Sequence, residues 1–164
     1  MLPILFRFSV ANFVARSSAP RDVVLGHFRD ETDIGGWLQL RERAFAGQLR
    51  QPRAWSDRDF RREFLAQSWW SPDRMWFCTQ RDGAIVGTVT RGQRRVGTET
   101  VATVHWLLVA PQCQRQGMAS FLFEQVVRDC CRHQITTLYA ETLDTWMPAV
   151  RFYERMGGAR VPSA

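Results

Sequence analysis

Val101-Ala-Thr-Val-His-Trp-Leu-Leu-Val109, followed by Ala110-Pro-Gln-Cys-Gln-Arg-Gln-Gly-Met-Ala-Ser120, is the stretch on which the reading of the whole chain depends. Apolar residues fall on both alternating faces of 101–109, the pattern of a central strand covered on both sides. Pro111 has no N–H for a sheet ladder, so the strand is expected to stop there. Gln114-Arg115-Gln116-Gly117 is a polar turn, and Phe121, Leu122 and Val126 then recur at helical spacing. A strand, a polar turn and a helix make an anion site, because the first-turn N–H groups have no intrahelical acceptor and the helix dipole favours negative charge. The small residues Gly117 and Ala119 let a phosphate approach the backbone, and Arg115 adds a fixed positive charge. The backbone from Gln114 through Arg115, Gln116, Gly117, Met118 and Ala119 to Ser120 is therefore the expected cradle for a phosphate or pyrophosphate.

The remainder of the chain supplies the surroundings. Its 164 residues suit one domain with a real core, and 45% apolar with 12% aromatic content argues against disorder. No apolar run is long enough to span a membrane. The net charge of +6 invites a nucleic-acid reading, but every basic residue outside the histidines is an arginine, and they are scattered. A polyanionic small ligand needs only a local positive field. Cys78, Cys113, Cys130 and Cys131 contain no CxxC pair and no suitably spaced histidine, so neither a metal site nor a disulfide framework is expected. A reducing cytoplasm is the expected location.

Met1 to Pro20 begins apolar but is interrupted by Pro3 and Arg7, unlike a signal peptide. Residues 1–20 are read as a loosely ordered tail, and 21–164 as a single domain. Along the latter, Val23–Phe28 reads as a strand, and Thr32 is placed to cap a helix with Ile34, Trp37, Leu38 and Phe45 on its apolar face. Residues 47–53 read as a loop. Ser56-Asp57-Arg58-Asp59 resembles a capping box opening a second helix that ends near Trp69-Trp70. Met75–Thr79 and Ala84–Thr90 read as strands joined through Arg81-Asp82-Gly83, and Gly92–Gly97 as a further turn. After the central strand and its helix come a strand over Thr136–Thr142, a helix over Ala149–Met156 and a stub of strand from Arg160. The order implies an α/β fold with a mixed central sheet flanked by helices.

Val109-x-Pro111 with Gln114-Arg115-Gln116-Gly117-Met118-Ala119 resembles the acyl-CoA signature of the GNAT superfamily of N-acetyltransferases. Phe152-Tyr153-Glu154-Arg155-Met156-Gly157 resembles that family's second signature, and the element order is also similar from about Val23 to Arg160. The resemblance implies acetyl-CoA as acyl donor and an amine as acceptor, small or protein-borne. It implies a bulge in the central strand that frees backbone groups near Leu107 and Val109 for an oxyanion. It places Tyr153 near the thioester sulfur as general acid, and Thr142 at a strand end near the pantetheine and the acceptor. His105 falls where members acting on arylalkylamines carry a histidine, and an imidazole titrating near ~6.5 can accept an amine proton, directly or through water. A core histidine is the alternative for His105, and a packed helix tyrosine for Tyr153. Thr103 falls where other members place a glutamate base, a role threonine cannot fill. Glu141 is a weaker candidate for binding the amine. Trp55, Trp69, Trp70 and Trp146 either line an acceptor pocket or pack in the core.

Two departures stand against the resemblance. The family closes with a two-strand hairpin after its last helix, and this chain ends before the last strand. The family's Gly-Phe after that helix is Gly157-Gly158 here. A partner subunit supplying the missing strand, hence a homodimer, and a truncated reading frame both remain open. A non-catalytic acyl-CoA-binding module is the alternative function, and a basic nucleic-acid-binding protein a more distant one.

Overall fold

The computed structural model describes residues 2–47 and 52–162. Most of the loop expected over 47–53 lies outside the described residues. In chain order the elements are β1 (Pro3–Ser9), β2 (Val23–His27), α1 (Thr32–Phe45), α2 (Asp57–Phe60), β3 (Met75–Gln80), β4 (Ile85–Val96) and β5 (Glu99–Val109). Then follow α3 (Met118–Arg132), β6 (Thr137–Leu143), α4 (Met147–Arg155) and β7 (Ala159–Arg160). The strands form one seven-stranded sheet in the order β2-β3-β4-β5-β6-β1-β7. It is mixed as expected: β5 and β6 run parallel and every other neighbouring pair is antiparallel.

The first correction concerns the N-terminus. Pro3–Ser9 is not a loosely ordered tail; it pairs with β6 along its whole length, Pro3 opposite Leu143 through Ser9 opposite Thr137. Pro3 and Arg7, read as interruptions, are compatible with the strand. Proline is tolerated at a strand's first residue, and Arg7 points away from the core while Phe6, Phe8 and Val10 on the other face are buried. No strand follows β7 among the described residues. The place between β6 and β7 is filled by β1 from the chain's own N-terminus, and the structure therefore needs no partner to complete the sheet.

Smaller corrections follow from local chemistry. Thr32 does not cap α1: no side chain among the described residues caps that helix, and the Thr32 N–H and hydroxyl both bond to the Asp30 carboxylate. The capping box at Ser56 is present, with Asp59 bonding back to the Ser56 N–H at 2.8 Å. That helix ends sooner than expected, because its second turn over Arg61–Leu65 is wound as a π-helix. The turn expected over Gly92–Gly97 is instead strand up to Val96, with the reversal confined to Gly97 and Thr98.

Alternation sorts the two faces. Arg91 and Val104 are opposite each other and face α3, where Arg91 forms a buried ion pair with Asp129. Thr90 and His105, one position on, face the layer made by α1 and α2.

Candidate active site

The central hairpin of β4 and β5 is irregular at one place. Thr90 is opposite His105 and Thr88 is opposite Leu108, so Val89 faces two residues, Trp106 and Leu107. This is the bulge that the resemblance implies, and Trp106 occupies it with φ +50. A bulky residue in the left-handed region costs about 1–2 kcal/mol. The Trp106 indole offsets this by packing against Trp55 at 4.8 Å, Trp37 at 5.7 Å and Phe45 at 6.3 Å, centroid to centroid. Such ring pairs contribute about 0.5–1.5 kcal/mol each beyond the area they bury. The Arg41 guanidinium, buried with its pKa lowered by that burial and then by the charge of Arg53, lies 4.5 Å above Trp55 and 5.3 Å above Trp106.

On its other side β5 pairs with β6 only from Ala102 to Val104, opposite Leu138 to Ala140. Beyond Val104 the two strands part. Among the described residues His105 to Val109, Leu107 and Val109 included, have no pairing with β6. The result is an opening between two parallel strands.

The turn below this opening has the expected form. Ala110 N–H bonds to Val86 O, a short 3-10 turn covers Pro111–Cys113, and Gly117 with φ +81 precedes α3. The left-handed φ explains why glycine stands there. Among the described residues no side chain caps α3, and the first bond into the helix is donated by Phe121 to Gly117 O. The N–H groups of Met118, Ala119 and Ser120 thus remain free for an anion. Gln114 reaches back to Val109 O and Gln116 to Gln112 O through their amide nitrogens. Arg115 is exposed, with φ +60, and has no ion pair among the described residues. The Met118 side chain is buried, so only its backbone is available to a ligand.

His105 stands at the edge of the bulge, about one-third exposed, with Nε2 2.9 Å from Oε1 of Glu63 but without the alignment of a hydrogen bond. The same carboxylate oxygen accepts a bond from Trp106 Nε1–H at 3.0 Å. The imidazole, then the opposing effect of burial, then the indole act on Glu63, and the balance holds its carboxyl below the usual glutamate range. Trp69 meets the His105 ring edge-on at 5.8 Å. The other three tryptophans singled out pack instead: Trp55 stacks on Trp37, Trp146 on Phe45, and Trp70 sits edge-on to Phe28.

Tyr153 lies on the opposite face of the sheet, among Phe6, Phe8, Phe123 and Phe152. Burial alone pushes its phenol well above the usual range. Thr142, two residues beyond the last β5–β6 pair, is buried with its hydroxyl unpartnered among the described residues. Glu141 is on the sheet's other face and pairs with Arg94 at 2.5 Å, exposed to solvent.

Sequence reasoning missed Glu63, which carried no motif, and Trp106, whose strained backbone only the bulge reveals. It also missed Phe6 and Phe8, although the alternation of Ile4, Phe6, Phe8 and Val10 could have shown them.

The sequence profile of the acetyltransferase (GNAT) family matches residues 36–158. No curated protein sequence matches the chain. Among solved structures the fold resembles a GCN5-related N-acetyltransferase from Sphaerobacter thermophilus, with TM-score 0.72 and 15% identity, over 97% of this chain and 48% of that one. The chain thus spans about half the length of that protein. It also resembles the ribosomal-protein-S18-alanine N-acetyltransferase of Escherichia coli, with TM-score 0.60 and 23% identity over 82% and 76% of the two chains. A third likeness is to an aminoglycoside 6'-N-acetyltransferase of Acinetobacter baumannii, with TM-score 0.64 and 15% identity over 87% and 94%.

Proposed function

The chain belongs to the acetyltransferase (GNAT) family, and on that premise we propose that it transfers an acetyl group from acetyl-CoA to an amine by direct attack in a ternary complex. The observation that carries this is the opening between β5 and β6, bordered by a bulged strand with unpaired backbone groups and leading to the uncapped start of α3. The residues present fit the donor. The N–H groups of Met118, Ala119 and Ser120, with Arg115, suit a pyrophosphate. The free edge of β5 and the unpartnered Thr142 hydroxyl suit the amide-bearing pantetheine arm.

The donor's thioester supplies the electrophilic carbonyl. His105 accepts the proton of the attacking amine. Nδ1 is the proposed accepting atom, because Nε2 is buried beside the Glu63 carboxylate, 2.9 Å away. N–H groups at Leu107 and Val109 stabilise the charge that develops on the carbonyl oxygen as the C–N bond forms. Tyr153 donates its proton to the sulfur as the C–S bond breaks. A phenol is protonated at neutral pH, and because burial raises the Tyr153 pKa further the transfer to sulfur is uphill and proximity has to offset it. The proposed base and acid stand on opposite faces of the sheet.

The expected gap at the last strand favoured a non-catalytic acyl-CoA-binding module. β1 closes that gap, which removes that support. The proposed location is the cytoplasm, where the four free cysteines would stay reduced. No helix among the described residues is long and apolar enough to cross a membrane.

The test is calorimetric titration with acetyl-CoA, followed by thiol release over an amine panel of phenethylamine, glucosamine, kanamycin and a peptide with N-terminal alanine. Binding without thiol release on any amine would favour the non-catalytic module. Absence of binding would overturn the reading.

A further inference from the structure

The Tyr153 side chain is buried, and four phenyl rings pack around it. Phe152 is its neighbour on α4 and moves with it. The other three rings around it come from elsewhere: Phe123 on α3, at 6.4 Å, and Phe6 and Phe8 on β1, at 5.6 and 6.0 Å.

Phe8 does more than touch the ring. It meets Phe123 edge-on at 5.0 Å, so it wedges between α3 and α4. It also fills the space over Gly158. A Cβ on Gly158 would lie 2.7 Å from Cε1 and Cζ of Phe8 and 2.9 Å from the Tyr153 carbonyl oxygen. Gly158 in turn donates its N–H to that same carbonyl at 2.9 Å. Phe8 thus bears on Tyr153 twice, ring against ring and through Gly158 on its backbone. The wedge is itself anchored. β1 is laddered to β6 over its full length. The segment leaving it is held by the buried Glu124, whose Oε1 accepts from Arg16 N–H at 2.8 Å and Ser17 N–H at 2.9 Å. Phe13 packs on Phe123 within the same segment.

We propose that Phe8 is a positioning residue for acyl transfer, acting through Tyr153, so that the N-terminal strand is part of the catalytic apparatus as well as of the sheet. The proposal rests on the reading of Tyr153 as the general acid. Packing that places a donor atom matters because a misplacement of about 1 Å can cost on the order of 10²-fold in rate.

The test is a double-mutant cycle of Phe8→Leu with Tyr153→Phe. It is assayed by thiol release from acetyl-CoA with the most active amine of the panel, at a temperature well below every variant's Tm. Acetyl-CoA affinity is measured by calorimetry. Gly158→Ala, which presses a methyl group on Phe8 from the other side, is run in parallel. Phe8→Leu is expected to lower kcat by roughly 10-fold or more with acetyl-CoA affinity little changed, and to add nothing in the Tyr153→Phe background. Gly158→Ala is expected to show the same dependence on Tyr153. If Tyr153→Phe is slow but either second-site change lowers kcat by the same factor with and without the phenol, Phe8 is only core and the proposal is overturned alone. If Tyr153→Phe retains wild-type kcat, the acid reading fails and this proposal falls with it.

Discussion

Nε2 of His105 and Oε1 of Glu63 stand 2.9 Å apart, a strand residue held against a carboxylate from the π-wound turn after α2. The contact makes Glu63 a partner of the proposed base. His105→Ala is expected to lower kcat by roughly 10²–10⁴-fold, the usual contribution of a general base, and to leave acetyl-CoA affinity unchanged. Glu63→Gln should lower kcat less, and should have no further effect on the His105→Ala enzyme if it works through the imidazole. Steady-state kinetics on the four proteins, with calorimetry for acetyl-CoA, checks both.

The same carboxylate gives a pH-dependent stability. The Glu63 pKa is lowered in the folded protein, chiefly by the His105 imidazole and despite burial. A lowered pKa contributes stability that is present above the unfolded value, about 4.3 for glutamate, and is lost as pH falls through the folded value. Thermal melts below that pH should therefore show wild type losing Tm more steeply than Glu63→Gln. The two curves should converge in acid. Parallel curves would show that Glu63 titrates alike in both states.

Gly117 separates charge from backbone geometry at the start of α3. Its φ of +81 penalises most side chains, but aspartate and asparagine tolerate that region comparatively well. Gly117→Asn and Gly117→Asp differ in charge at nearly equal volume. Asp is expected to weaken acetyl-CoA binding by about tenfold more than Asn, equivalent to ~1.4 kcal/mol, with a difference that narrows at high salt. Equal affinities in two folded variants would remove the pyrophosphate from this turn.

Tyr153→Phe deletes the hydroxyl of a buried side chain and keeps its ring. Losing an acid needed chiefly in the transition state should lower kcat by roughly 10²–10⁴-fold. Stability should be unchanged or slightly higher, because phenylalanine keeps the ring packing and removes a polar group from an apolar site. Kinetics and thermal melts of the same preparation test the pair of expectations. Wild-type kcat under chemistry-limited conditions would rule out Tyr153 as the acid.

Read as sequence, the chain yields what is local. The two-faced apolar run of 101–109 makes a central strand wherever it lies, Pro111 ends it, and Gly117 permits the left-handed step into α3. Turn chemistry and periodicity act over a few residues, so these elements and the anion-binding turn could be read directly, together with the family they resemble. The pairing of distant segments could not. Nothing in Pro3–Ser9 says that it belongs between β6 and β7, because a ladder is a relation between strands, and its register depends on which face each buries. Nor does Arg61-Arg62-Glu63 say that its carboxylate will meet His105. That required the π-wound turn, the capping box that starts α2, and the bulge that turns Trp106 toward Trp37 and Trp55. Tertiary structure alone decided that the chain's first strand would complete its sheet and set Phe8 against Tyr153. The reason is physical: burying Phe6 and Phe8 is favourable only on a core that the rest of the chain has already built.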